Sequence, residues 1–154
     1  MIELRRAIVE DCRLIWEWAN DPTVRRASFS QTTIPWQHHT KWFSQKLGDP
    51  GCHLFVVMDG DRPIGQVRFE VARDEAEVHI SIAAPDRGHG QGAAALRVGA
   101  ARIKRDAGVA RIVAHIKSGN AASIRVFESA GFVQAGTVDV QGVNTERMVL
   151  PIER

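Results

Sequence analysis

The stretch Arg87-Gly88-His89-Gly90-Gln91-Gly92-Ala93 lies between a run that alternates like a strand and a long alanine-rich run. Ala76 to Ala83 before it reads as the strand, and Gly90 to Ala107 after it as a helix that Gly108 closes. Three glycines at alternate positions let the backbone turn sharply and come close to a ligand. The first N–H groups of the helix have no partner within it and point outward. Together with the helix dipole they make a site for a phosphate or pyrophosphate. Arg87 can add a charge-assisted bond. An arginine before the glycines and a helix after them favour a binding loop over a plain strand-to-helix turn.

The pattern extends outward on both sides. Ile2 to Ala7 reads as a strand. Asp11 opens a helix with Leu14, Ile15 and Trp18 on one face, which Asn20-Asp21-Pro22 stops. Thr23 to Thr33 reads as irregular. A second helix starts at Pro35 and runs to about Leu47. His53 to Met58, Ile64 to Ala72 and Ala76 to Ala83 form an antiparallel meander, with a hairpin turn at Asp59-Gly60-Asp61. Pro85 to Gly88 reads as a loop. Beyond the long helix come a strand from Arg111 to Ile116, a helix that Asn120 caps and Gly131 ends, and a final strand pair, Phe132 to Asp139 and Thr145 to Ile152. The order β-α-α-β-β-β-α-β-α-β-β predicts an α/β protein with a mixed sheet and helices packed on it.

A chain of 154 residues suits one domain, 1–154. With 44% hydrophobic and 25% charged residues it has a globular balance, so disorder is not expected. A net charge of +2 is too mild for a nucleic-acid partner, though it allows a small polyanion. Cys12 and Cys52 form neither a metal cluster nor a disulfide framework and suit a reducing cytoplasm. No metal site is expected. No apolar run reaches the roughly 20 residues of a membrane span, and no signal peptide opens the chain.

Gly88-x-Gly90-x-x-Ala93 also fits a loose dinucleotide fingerprint. That reading requires parallel crossovers before the loop and a carboxylate closing the next strand. The strands before the loop form hairpins, and the next strand ends His115-Ile116-Lys117. The chain instead resembles the GNAT family of N-acetyltransferases. Arg87 through Gly92 match its acyl-CoA signature, Arg/Gln-x-x-Gly-x-Gly/Ala. Asn120-Ala121-Ala122-Ser123-Ile124-Arg125-Val126-Phe127-Glu128-Ser129-Ala130-Gly131-Phe132 looks like its Asn-x-x-Ala/Ser-x-x-x-Tyr/Phe-x-x-x-Gly-Phe segment.

The resemblance implies a GNAT-type fold with a splayed central strand pair and acetyl-CoA as co-substrate. It places the pyrophosphate on Gly88, His89, Gly90, Gln91, Gly92 and Ala93. It runs the pantetheine arm along the backbone of Ile80, Ile82 and Ala83, with the acetyl carbonyl on an oxyanion-type N–H of that strand. Asn120 would contact the cofactor arm as well as cap its helix. Ala84-Pro85-Asp86-Arg87 is one residue shorter than the family's usual connection, which leaves the strand register open by one. The family often uses a tyrosine acid where Phe127 stands, and this chain has no tyrosine. In place of that acid, a water must supply the proton, or the departing thiolate must take one itself. The base candidates are, in order, Glu77, His79 and His115. Glu77, His79 and Ser81 share one strand face.

Trp16-Glu17-Trp18-Ala19-Asn20-Asp21-Pro22-Thr23-Val24-Arg25, with His39, Trp42 and Phe43, resembles the subgroup that acetylates nucleotide-linked aminosugars, as in the pseudaminic acid pathway. It is also similar to those acting on ribosomal-protein N-termini or polyamines. Trp36 and its neighbours fit helix packing as well. Arg25 and Arg26 could pair with a sugar-nucleotide diphosphate, whereas a polyamine site needs carboxylates, in which this segment is not rich. The reading is direct transfer in a ternary complex to a small-molecule primary amine. The alternative is a non-catalytic acyl-CoA-binding module. Nothing in the sequence requires a membrane, and a homodimer through the last strands is open.

Overall fold

Alternation along the strands decides where the core lies. On the strand around Glu77, Ala76 and Val78 are buried while Glu77 is half-buried and His79 exposed. Successive side chains therefore point to opposite faces, one dry and one polar. The computed structural model describes residues 1–152, so the last two positions of the span 1–154 lie outside the described residues. Its strands are β1 (Ile2–Arg6), β2 (Cys52–Asp59), β3 (Arg62–Ala72), β4 (Glu75–Ile82), β5 (Arg111–Lys117), β6 (Val133–Val140) and β7 (Val143–Pro151). They form one seven-stranded sheet in the order β1-β2-β3-β4-β5-β7-β6. The helices are α1 (Cys12–Ala19), α2 (Pro22–Ala27), α3 (Trp36–Gly48), α4 (Gln91–Ala107) and α5 (Ala121–Ser129). The α/β mixed sheet expected from the sequence is the observed architecture.

α4 and α5 cover the dry face. Phe55, Phe69, Val67 and Val78 of the sheet pack there against Ala95, Leu96, Ile103 and Phe127. Phe55 and Phe69 meet edge to face, with ring centroids 6.4 Å apart. Burying each ring contributes about 2 kcal/mol. A second cluster lies on the other face of β2, where Cys52, Leu54 and Val56 meet Ile15 of α1 and Phe43 of α3.

β4 and β5 run parallel but pair only over Glu75↔Arg111, Ala76↔Ile112 and Glu77↔Val113. β5 stays paired with β7 along its whole length, from Arg111↔Pro151 to Lys117↔Thr145. β5 therefore follows β7 away from β4, and a fork opens just beyond Glu77. This is the splayed central pair. The segment expected to be irregular after Pro22 differs: it holds α2. Asp21 caps α2 with its side chain, accepting from the N–H groups of Thr23 and Val24, and Pro22 occupies the first turn. Proline stops α1 and starts α2 by the same geometry, because its fixed φ suits a first helical position. The expected loop at Pro85 contains a 3-10 turn, Ala84–Asp86. Among the described residues, no helix is long and apolar enough to cross a membrane.

Candidate active site

The glycine loop leaves β4 at the fork and feeds α4. Gly90 adopts φ +76° and caps the helix, a conformation that favours glycine. A Cβ on Gly92 would lie 3.1 Å from Cγ1 of Val126, so its absence lets α4 sit tight against α5. Side chains brace the loop from outside. Buried Asp86 pairs with Arg62 at 2.6 Å, and the Gln91 amide donates to Asp59 at 3.3 Å. Among the described residues, no backbone N–H from Gly88 to Ala93 donates to another backbone group. These are the donors on which the sequence reading puts a pyrophosphate.

Arg87 is placed differently from the ligand-facing role expected of it. Its Nε–H donates to the Ile82 carbonyl at 2.7 Å, and Nη2 donates to Oδ1 of Asp21 at 3.2 Å. The Arg87 guanidinium thus joins the end of β4 to the N-terminus of α2.

The backbone of β4 resolves which groups face the fork. The Ala83 N–H donates to Ile64 of the strand segment alongside, at 2.7 Å. Antiparallel pairing alternates which edge a residue's polar groups address. Residues of Ala83's parity, Ser81, His79 and Glu77, therefore address β3. The N–H and C=O of Ile80 and Ile82 address the β5 side, where β5 no longer pairs with β4, and the Ile82 carbonyl accepts from Arg87 instead. Ile80 and Ile82 line the fork by their backbone, whereas the Ala83 N–H is already occupied.

On the polar face, Glu77 is the hub. His79 Nε2 lies 2.8 Å from one of its oxygens, and His115 Nδ1 of β5 lies 3.2 Å from the other. The structure thus brings together all three base candidates at the point where the strands part. The bond from His79 holds the Glu77 carboxyl below its usual range; burial opposes this, and the charge of the two imidazoles adds to the lowering. Glu70, opposite Glu77 on β3, pairs with Lys46 and with Arg68 at 3.4 Å, and it lies 3.9 Å from His79. Burial raises the Glu70 carboxyl, but Lys46 and Arg68 outweigh it and keep it low. Arg68 also stacks over Trp42 at 5.1 Å. Glu75, at the base of the fork, pairs with Arg111 at 3.7 Å and Arg147 at 3.4 Å.

Two further expectations have clear positions. Asn120 caps α5, its Oδ1 accepting from Ser123 N–H at 3.1 Å. Phe127 is buried, edge-on to Phe132 at 5.0 Å. Sequence reasoning missed Asp21 and Glu70. An aspartate before a proline that opens a helix is a readable cap signal. Its partner Arg87 is 66 residues away and carries no local signal.

On the side of α2, Asn20, Pro22, Arg25, Arg26, Gln31 and Thr33 line a shallow cavity of about 420 Å³. Arg25 is tied within this segment: Nε donates to Ala19 O at 2.7 Å and Nη1 to Ser30 O at 3.0 Å. Of the two arginines expected to meet a diphosphate, Arg25 is a strut and Arg26 is exposed. The Trp16 indole donates to Ile34 O at 2.8 Å, and Asn20 makes two bonds to Ile34. Trp36, Trp42 and Phe43 each pack against the His39 ring, so this aromatic cluster packs the α1–α3 layer.

A forked mixed sheet with a glycine loop leading into a helix at the fork defines an acyl-transferase frame. The family model of the acetyltransferase (GNAT) domain matches residues 2–133. The chain belongs to the GNAT acetyltransferase family and is an acetyl-CoA-dependent N-acetyltransferase. No curated protein matches it. Its fold is similar to that of the aminoglycoside acetyltransferase AAC(6')-Ib solved with coenzyme A and kanamycin. The identity there is 20% and the TM-score 0.86, over 98% of this chain and 95% of that one. It is also similar to the spermidine N-acetyltransferase from Vibrio cholerae solved with CoA and spermine. That match has 20% identity and TM-score 0.87, over 97% of this chain and 95% of that one. At such identity the likeness carries the fold alone.

Proposed function

We propose that residues 1–154 act as one domain that moves the acetyl group of acetyl-CoA to the primary amine of an aminosugar, with the Glu77 cluster as proton acceptor. The observation that carries this is Glu77 at the opening of the fork, held by an imidazole from each strand. The pyrophosphate sits on the N–H groups from Gly88 to Ala93, and the pantetheine arm pairs with the backbone of Ile80 and Ile82 in the gap. Asn120 borders that arm from the start of α5.

An ammonium must lose a proton before its nitrogen can attack the acetyl carbon. A carboxylate held below its usual range is a poor final resting place for that proton. It is a good partner for an imidazole that takes one, since it orients the ring and stabilises its cation. His79 gives one nitrogen to Glu77 and keeps Nδ1 for the amine; His115 keeps Nε2. The neutral amine nitrogen attacks, the C–N bond forms and the C–S bond breaks; the second N–H proton passes, directly or through water, to the departing thiolate, leaving the amide and the free CoA thiol. Both thiols of the chain are free and neither belongs to this cluster, which supports direct transfer over an acetylated cysteine. Free thiols also suit a cytoplasmic enzyme.

An aminosugar is favoured by charge balance. Glu70, Glu75 and Glu77 each have cationic or imidazole partners, so the face offers no surplus of carboxylate to a polyamine. The cavity beside α2 presents Asn20, Gln31 and Thr33, which suit hydroxyl groups. The exposed Arg26 supports a nucleotide-linked form. Initial rates of thiol release from acetyl-CoA test this across an aminoglycoside, nucleotide-linked aminosugars, spermidine and a peptide. Turnover is expected with an aminosugar amine. Release with spermidine or peptide alone overturns the acceptor, and acetyl-CoA binding with release on no acceptor favours a non-catalytic module.

A further inference from the structure

The same oxygen of Asp21 serves two elements. It accepts from Nη2 of Arg87 at 3.2 Å, and from the N–H groups of Thr23 at 2.9 Å and Val24 at 3.3 Å at the start of α2. Arg87 in turn is fixed to the end of β4 through Ile82 O. From α2 the ties spread over the acceptor side. Arg25 holds Ala19 and Ser30, and the Lys117 ammonium of β5 donates to Arg26 O at 2.9 Å. The cavity walls Pro22, Arg25 and Arg26 therefore belong to a short helix whose cap, Asp21, is held by the cofactor loop's arginine.

We infer that Asp21 is a positioning residue that couples occupancy of the glycine loop to the order of α2 and the acceptor cavity. The inference rests on reading that loop as the acetyl-CoA site. A pyrophosphate bound to the loop N–H groups restricts the backbone around Arg87. Restricting Arg87 restricts Asp21, and Asp21 holds the start of α2. The ordering of α2 is then contributed when acetyl-CoA binds, and the amine meets a cavity already formed. By linkage the acceptor must favour acetyl-CoA binding by the same factor.

Asp21→Ser separates the two roles of this side chain, because serine caps a helix about as well as aspartate but has no charge for Arg87. The measurement is amide hydrogen exchange over residues 22–27, with and without saturating acetyl-CoA, with binding checked by calorimetry. In the wild type, acetyl-CoA is expected to slow exchange about fivefold, the lower end of ordinary couplings. In Asp21→Ser the unliganded rate should stay near the wild-type rate and acetyl-CoA should leave it unchanged. Arg87→Gln, which leaves the cap intact, should behave the same way and serves if the serine variant fails to fold. Equal slowing in both variants, or bound acetyl-CoA with no slowing in the wild type, overturns the coupling alone. A variant that exchanges faster by one factor with and without acetyl-CoA shows a cap and nothing more, and also overturns it. Failure of the wild type to bind acetyl-CoA overturns the loop reading and the coupling with it.

Discussion

Glu77 is held by an imidazole of its own strand and by one from the neighbouring strand, and this geometry makes its removal diagnostic. Glu77→Gln keeps the shape but loses the charge that orients both rings. We expect kcat to fall about 10²- to 10³-fold, within the usual range for a positioned proton acceptor. The KM for acetyl-CoA should change little, since among the described residues the partners of Glu77, His79 and His115 lie within the cluster and on Glu70, not on the loop from Gly88 to Ala93. Steady-state thiol release checks both values; an unchanged kcat sinks the base assignment. The composition of this cluster could be read from alternation on one strand, which put Glu77 and His79 on one face. The place of His115 needed the three-residue parallel pairing with β5, which no local pattern announces. At the position of the missing tyrosine, Phe127 packs on Phe132 in the core. The sequence showed that a phenol was absent but not how deeply its replacement would be buried.

The placement of α4 depends on how closely it can approach the sheet. A Cβ on Gly99 would lie 2.9 Å from Cζ and 3.1 Å from Cε2 of Phe69, both atoms of a fully buried ring. Gly99→Val must push the ring or lift the helix. Overpacking of this kind costs about 1–3 kcal/mol. For a chain of this size that lowers Tm by roughly 2–12 °C, at about 2–4 °C per kcal/mol. Thermal unfolding followed by circular dichroism checks it; an unchanged Tm means the helix is not seated through this glycine. The helix itself was readable, because its alanine-rich run and Gly108 are local signals. The contact of Gly99 with β3 was not, since it joins two elements by shape alone. α2 departs from the expected irregular segment for a local reason: Asp21-Pro22 reads as the end of α1, and the same pair is also a start. A cap followed by proline specifies a new helix when the side chain turns back onto Thr23 and Val24.

At the scale of the whole molecule, protonation should unfold the protein in two stages as pH falls. His39 stacks among Trp36, Trp42 and Phe43 with Nε2 at 2.8 Å from Cys12 O, and burial lowers its affinity for a proton. Burial and the nearby charge of Arg6 do the same for His53. Below about pH 6.5, the ordinary imidazole value, the unfolded chain takes protons that the folded chain refuses, so stability declines as pH falls. The second stage comes from carboxylates. Asp11, Asp21, Glu70, Glu77 and Asp106 are all held below their usual range. Their contribution is complete above the unfolded value of about 4 and is lost as pH drops through the folded values. Asp11 is the clearest single case. It is buried, meets Arg5 through both oxygens at 2.8 and 2.9 Å, and accepts from Ile8 N–H at 2.8 Å. Burial alone would raise its carboxyl; the Arg5 bonds and the Ile8 amide outweigh that and lower it. Asp11→Asn should cost about 1–3 kcal/mol at pH 7, the range for a charged hydrogen-bond partner. Below the unfolded value of about 4 the unfolded chain takes a proton that the folded carboxyl resists, so the difference between the two proteins should shrink as pH falls. Urea unfolding of both at pH 7, 5 and 2.5 reads this out, and a gap that stays constant across the three values rules out the charge of Asp11 as its source.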